Sequence, residues 1–149
     1  MLPEDAYDLQ RFVDAQNPVF EQVCSELRAG RKASHWMWYI FPQLRGLGHS
    51  PTAIHFALSS LEEARAYLEH PILGPRLRTC TSLVDDLTNS TAEQIFGYPD
   101  YLKFRSSMTL FVRASPNNQL FQRALEKYFG GAPDPLTLAR LPQPPAPLA

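Results

Sequence analysis

A polar residue followed directly by proline recurs along the chain, as at Asn17-Pro18, Ser50-Pro51, His70-Pro71 and Asp134-Pro135. Such a pair is typical of a helix start, because the polar side chain caps free N–H groups and proline fits the first helical position. Two spacings of serine and glutamate, Ser60 to Glu63 and Ser90 to Glu93, match the capping box. Starts that recur so often leave room only for short helices, so the sequence predicts an all-α protein.

Between these starts, apolar residues recur three and four positions apart, and no stretch of useful length alternates as a strand does. The clearest stripe is Leu73, Leu77, Cys80 and Val84. Gly74-Pro75 within it predicts that this helix begins near Pro75. Residues 1–141 are therefore predicted to form a single compact orthogonal bundle of about seven to nine short helices. Residues 142–149 hold four prolines and are predicted to be a disordered tail.

Composition limits the classes of function. The formal net charge is −1, so the chain is not a global polycation and no nucleic acid partner is expected. No signal peptide opens the chain, and no apolar run approaches the roughly 20 residues of a membrane span. We expect a cytoplasmic protein with no membrane association, present as a monomer or weak dimer. Cys24 and Cys80 are expected to be buried free thiols, and no cofactor or metal is expected, because the histidines and cysteines lack tight ligand spacing.

The stretch 32–51 is the strongest candidate for a functional site. Both tryptophans lie in its unbroken apolar run, residues 36–41, which polar residues border on each side. A short helix is favoured for this run over a buried strand, because nothing else in the chain offers a partner strand. Two interpretations remain open: the aromatic side chains form a binding platform, or they only fill the core.

Charge supports a binding site in this part of the chain. No Asp or Glu occurs between Leu27 and Leu61, where several basic residues lie. A local positive field beside aromatic rings suits an anionic ligand that contains a ring, such as a nucleotide. Gly46 and Gly48 precede the helix start at Ser50, so the backbone there can approach an anion that Arg45 clamps. The alternative is a plain turn between helices with an ordinary cap.

A second candidate region follows at residues 100–109. Asp100, Lys103 and Ser107 are spaced three and four apart, which stacks a carboxylate, an ammonium and a hydroxyl on one helix face. A buried carboxylate there could act as a general base. The alternative is a surface ion pair of small effect.

Three motifs carry a resemblance to a known family: SHWMWYIFPQLRGLG at 34–48, HPILGPRL at 70–77 and FRSSMTLF at 104–111. With them, the chain from about residue 8 to 141 closely resembles the uncharacterised family numbered 1810 among the domains of unknown function. The resemblance implies an all-α fold and no established activity. Tyr101 stands where members often carry a second acid, which speaks against a paired-carboxylate mechanism. The C-terminal helices also resemble the NADAR family, which is linked to NAD and ADP-ribose derivatives.

These observations give two hypotheses. The first is a protein that binds, or also hydrolyses as an N-glycosidase would, a phosphorylated nucleotide-type ligand such as an ADP-ribose or NAD derivative. The second is a non-enzymatic protein-interaction module that uses residues 32–51. A flat exposed patch of Trp36, Tyr39 and Phe41 would favour the second. The catalytic candidates are His35, Asp100 and Lys103. The ligand-binding candidates are Lys32, Trp36, Trp38, Tyr39, Gln43, Arg45, Gly46, Gly48, Ser50 and Ser107.

Overall fold

A computed structural model describes residues 5–142 of the chain, and this part holds ten helices and no strand. The helices are α1 Gln10–Gln16, α2 Phe20–Arg28, α3 Met37–Ile40, α4 Pro51–His55, α5 Leu61–Glu69, α6 Leu73–Asp85, α7 Ala92–Phe96, α8 Asp100–Ala114, α9 Gln119–Phe129 and α10 Pro135–Arg140. The all-α prediction is confirmed. The count exceeds the expected range because pieces as short as α3, with 4 residues, are separate helices. Of the predicted tail 142–149, residues 143–149 lie outside the described residues.

Local capping signals account for several helix starts. Ser50 accepts a hydrogen bond from Ala53 N, Ser60 from Glu63 N and Asp134 from Thr137 N, as their positions predict. The capping box expected at Ser90 and Glu93 is wrong by one residue, because Thr91 and Gln94 form it. Helix α6 begins at Leu73, two residues before Pro75, near which its start was predicted. His70 Nδ1 accepts from the N–H groups of Ile72 and Leu73, which allows α6 to begin at Leu73.

Helix α8 lies at the centre of the molecule and packs against α3, α5, α7, α9 and α10. Its Phe104 ring meets Phe41 of the 36–41 run edge-on at 5.0 Å and stacks on Phe96 of α7 at 4.7 Å. All three rings are buried. This aromatic contact places the end of α3 against the first turns of α8, which brings the two candidate regions of the sequence together.

The remaining helices close around this centre. Cys24 of α2 and Cys80 of α6 are free and buried, as predicted, and burial raises the pKa of the Cys80 thiol. Arg11 of α1 makes five hydrogen bonds, four to carbonyl oxygens and one to Glu63 of α5 at 3.0 Å. These bonds hold the first helix against the α4–α5 connection. Within residues 5–142, no helix is both long and apolar enough to cross a membrane.

Candidate functional site

The two tryptophans have different environments. Trp36 is 1% exposed and packs in the core beside Phe41, with ring centroids 6.2 Å apart. Trp38 is half-buried. Trp36 directly precedes α3 and Trp38 is its second residue, and side chains two positions apart at a helix start point to different sides. Of the two, Trp38 alone offers part of its ring to solvent.

Glu26 of α2 holds the segment that leads into α3. Its carboxylate accepts hydrogen bonds from the backbone N–H groups of Ala33 and Ser34, the Ser34 hydroxyl, the Gln22 amide and the Trp36 indole at 2.6 to 3.0 Å. Burial raises the pKa of Glu26, but the hydrogen bonds outweigh burial and lower it to about 2. Glu26 therefore stays ionised and fixes the approach of residues 32–36 to the core.

Lys32 and Lys103 converge on one carboxylate. Lys32 Nζ lies 2.8 Å from Asp100 Oδ2, and Lys103 Nζ lies 2.9 Å from Asp100 Oδ1. Residues 32 and 100 are far apart in sequence and meet because Lys32 N donates to the Ile95 carbonyl, just before the start of α8. The three side chains are 8 to 19% exposed. The two ammonium groups and the single carboxylate together carry one excess positive charge, at a position that is partly shielded from solvent.

Trp38 joins this group through a cation–π contact. Lys103 Nζ lies 3.8 Å from the centroid of the Trp38 ring, and Lys32 Nζ lies 5.4 Å from the Trp36 ring. The edge of the Trp38 ring borders Gly48, where an added Cβ would lie 2.7 Å from the Cβ of Ala53. Lys32, Trp38, Asp100 and Lys103 are from here on called the lysine–indole cluster.

Burial raises the pKa of Asp100, but the hydrogen bonds from Lys32 and Lys103 outweigh burial and keep this pKa below its ordinary value. Asp100 is therefore a carboxylate near neutral pH. It has no proton to donate there, and the low pKa makes it a weak general base. The cluster is better suited to holding charge than to transferring protons.

Arg45 and Gly46 lie at a different place. Arg45 is exposed and lines a cavity of about 480 Å³ together with Ser59, Ser60 and Arg140. Gly46 has φ of +100° and touches the Arg140 guanidinium. The loop 43–50 thus borders this cavity at Gly46 and the lysine–indole cluster at Gly48.

The other predicted site residues have separate positions. His35 is exposed, and its carbonyl accepts from the Tyr39 hydroxyl at 3.4 Å. Tyr39 is half-buried, and its own carbonyl accepts from Gln16. Gln43 accepts from Leu58 N through its backbone, and Ser50 caps α4. The Ser107 hydroxyl is buried without a hydrogen-bond partner in the described part of the chain.

Two residues of these sites, Glu26 and Arg140, could not be predicted from any local pattern in the sequence. Glu26 looks like a surface acid of an amphipathic helix, and only the chain reversal after α2 brings four of its five donors to it. Arg140 lies almost 100 residues after Gly46 and reaches it only because α10 packs on α8. Basic residues near a chain end occur in many proteins, so Arg140 did not stand out.

Fold and site together define a small all-α protein with a lysine–indole cluster at the first turn of its central helix. A family model described as a protein of unknown function, DUF1810, matches residues 6–141, and the chain belongs to this family. Its structure is similar to the crystal structure of the conserved hypothetical protein Rv1873 from Mycobacterium tuberculosis. The two share 58% identity with a TM-score of 0.91, over 92% of this chain and 98% of the other. No curated protein matches the chain.

Proposed function

We propose that the lysine–indole cluster binds a small anionic, ring-containing ligand of the phosphorylated nucleotide type, such as an ADP-ribose or NAD derivative. One observation carries this proposal: Lys32 and Lys103 both pair with the single carboxylate of Asp100 beside the half-buried Trp38. The excess positive charge attracts an anion, and the indole offers apolar ring surface next to it.

The ammonium groups retain binding capacity after they pair with Asp100. Each ammonium has three N–H donors, and in the described part of the chain Asp100 is the one acceptor that each contacts. Phosphate oxygens suit the remaining donors, and charge-assisted hydrogen bonds of this kind are stronger than neutral ones. Partial burial of the cluster strengthens them further, because the effective dielectric constant is lower than in water.

Binding is better supported than hydrolysis of a glycosidic bond. A glycosidase-like mechanism needs a carboxylate that stabilises an oxocarbenium-like transition state. Asp100 is neutralised by two ammonium groups, which also repel a cationic sugar. His35, the second proton-transfer candidate, is exposed, and within residues 5–142 its ring makes no hydrogen bond, ion pair or ring contact with the cluster. The proposal therefore gives Asp100 and Lys103 a binding role, in which Asp100 holds the two lysines in place.

A protein-interaction surface built on residues 32–51 is less well supported. Such a surface would need the aromatic side chains of this stretch to face solvent. Trp36 and Phe41 are 1% and 0% exposed, and Tyr39 is exposed only in part. A partly enclosed group of charges beside a single indole suits a small molecule better than a flat protein surface.

Calorimetric titration of the purified chain with ADP-ribose and with NAD tests the proposal. We expect saturable binding that weakens at least tenfold in Lys103→Gln and Lys32→Gln. Arg28→Gln is the matched control, because it removes one positive charge from an exposed position on α2, and it should bind as the wild type does. Absence of binding by the folded wild-type chain at millimolar ligand would refute the proposal. Chromatography of the titrated samples shows whether either compound is also cleaved.

A further inference from the structure

We propose that the cavity between the α4–α5 connection and the end of α10 is an anion site for a diphosphate group, held by Arg45 and Arg140. The cavity measures about 480 Å³, within the roughly 300–1,000 Å³ range of small-molecule sites. It lies outside the lysine–indole cluster, and its two guanidinium groups come from separate parts of the chain, the loop 43–50 and helix α10.

The two guanidinium groups are available to a ligand. Within residues 5–142, neither Arg45 nor Arg140 takes part in a salt bridge or donates a side-chain hydrogen bond. Five of the nine other arginines within residues 5–142 donate side-chain hydrogen bonds: Arg11, Arg65, Arg76, Arg105 and Arg113. The Arg11 guanidinium alone donates hydrogen bonds to five acceptors. Arginine binds phosphate oxygens in bidentate fashion, so two unpaired guanidinium groups facing one cavity favour an anion with several oxygens.

Gly46 provides a place for the Arg140 side chain. A Cβ at position 46 would lie 2.3 Å from Arg140 Nη1 and 2.6 Å from Cζ, so the guanidinium lies directly against the bare backbone. The φ of +100° at Gly46 is also a conformation that favours glycine. The absence of a side chain at Gly46 therefore makes room for the Arg140 guanidinium at the same cavity as Arg45.

The charges around the cavity favour an anion, with one opposing group. Glu62 also lines it, so Arg45, Arg140 and Glu62 together leave one positive charge in excess. The Ser59 hydroxyl donates to Glu63 Oε1 at 2.8 Å and has no proton left for a ligand. The Ser60 hydroxyl accepts from Glu63 N at 3.1 Å and keeps its own proton for donation. A diphosphate offers one phosphoryl group to each guanidinium, which matches a site with two separate arginines.

Diphosphate binding at Arg45 and Arg140 does not depend on the proposed function. Only the suggestion that this diphosphate belongs to a nucleotide rests on it. Loop 43–50 touches Arg140 at Gly46 and Trp38 at Gly48, so one loop borders both sites. Anion binding in the cavity can be measured with inorganic diphosphate, which has no ring for Trp38. The two proposals can therefore fail separately.

The test is calorimetric titration of the full chain with sodium pyrophosphate at constant ionic strength. We expect saturable binding that weakens at least tenfold in Arg45→Gln and in Arg140→Gln, while Arg28→Gln, at an exposed position of α2, binds as the wild type does. Inorganic phosphate, which offers one phosphoryl group in place of two, should bind more weakly than pyrophosphate. Circular dichroism confirms that each variant is folded, and Gly46→Ala provides a second route to displacing Arg140.

Two results would overturn the inference. One is that the folded wild-type chain binds no pyrophosphate at millimolar concentration. The other is that Arg28→Gln weakens binding as much as Arg140→Gln, which would indicate non-specific attraction. If pyrophosphate binds as expected but ADP-ribose and NAD do not, the anion site stands and the proposed function fails. If ADP-ribose binds and responds to Lys103→Gln but not to Arg140→Gln, the proposed function stands and the anion site fails.

Discussion

The indole N–H of Trp36 donates a hydrogen bond of 2.9 Å to Oε1 of Glu26, inside the protein core. This bond joins α2 to the segment that carries Lys32, and four further donors share the same carboxylate. A buried carboxylate is stable only when hydrogen bonds replace its lost water. The position of Lys32 at the lysine–indole cluster therefore depends on the charge of Glu26.

Glu26→Gln should destabilise the protein in a pH-dependent way. The pKa of Glu26 falls from an ordinary 4.5 to about 2 in the folded chain, which corresponds to roughly 3 kcal/mol at about 1.4 kcal/mol per pKa unit. Because the folded pKa is lowered, this stabilisation is complete above pH 4.5 and is lost as the pH falls toward 2. Urea denaturation at several pH values between 7 and 3 measures it. Glu21→Gln, at an exposed position of the same helix, is the control, and equal acid sensitivity of wild type and Glu26→Gln would contradict the prediction.

Asp100→Asn should weaken the stability of the folded chain. The substitution removes two ion pairs and leaves Lys32 and Lys103 close together without a counter-charge. Since these side chains are partly exposed, the loss should be about 1–2 kcal/mol, between the values for surface and buried pairs. Denaturation at low and high salt measures it, and the loss should shrink in high salt. Asp14→Asn, which removes an exposed carboxylate without an ion pair, should change stability little; a loss as large as that of Asp100→Asn would speak against a specific role of the cluster.

Asp85→Asn should stabilise the protein above pH 6. Both carboxylate oxygens of Asp85 are buried without a hydrogen-bond partner in the described part of the chain. Burial raises the pKa of Asp85 to about 6, although Arg123 and Lys127 act in the opposite direction. A raised pKa means that native stability is greatest below the ordinary pKa near 3.8 and falls as the pH rises through 6. The melting temperature of Asp85→Asn should therefore exceed that of the wild type at pH 7.5 and match it near pH 4. A lower melting temperature at pH 7.5 would show that the charge is compensated.

Ser107→Ala and Ser106→Ala should have opposite effects on stability. The Ser107 hydroxyl is buried without a partner in the described chain, so its removal should be neutral or raise stability by up to about 1 kcal/mol. The Ser106 hydroxyl contacts the Leu102 carbonyl and Asp134 Oδ2, both at 3.1 Å, and its removal should lower stability by about 1 kcal/mol. Chemical denaturation compares the two. A loss of stability in Ser107→Ala as large as that in Ser106→Ala would contradict the prediction.

The sequence predicts those features that depend on neighbouring residues. Ser50 and Asp134 cap their helices as expected, because a cap bonds to an N–H three residues later. The box at Thr91 and Gln94 was placed one residue too early, because Ser90 and Glu93 satisfy the same spacing rule. His70 caps the start of α6, as the pair His70-Pro71 predicts, whereas Gly74-Pro75, which predicted a later start, lies inside the helix.

Features that depend on tertiary contacts could be predicted only in part. The basic and aromatic character of residues 32–51 marks this region, and the meeting of Lys32 with Asp100 and Lys103 agrees with it. An unbroken apolar run has no periodicity, however, so nothing in it distinguishes the buried Trp36 from the half-buried Trp38. Glu26 and Arg140 acquire their partners from chain reversals that no local pattern encodes.

The central position of α8 has a consequence for motion. Asp100 and Lys103 lie on a helix that packs against five others, so its amide protons should exchange with solvent only when the whole domain unfolds. Loop 43–50, which borders Trp38 of the lysine–indole cluster at Gly48, and the five-residue α4 after it should exchange through local openings. A ligand bound between this loop and α8 would slow deuterium uptake in the loop and leave uptake in α8 unchanged. Helix α8 then acts as a fixed reference, and the loop sets the time scale of ligand entry.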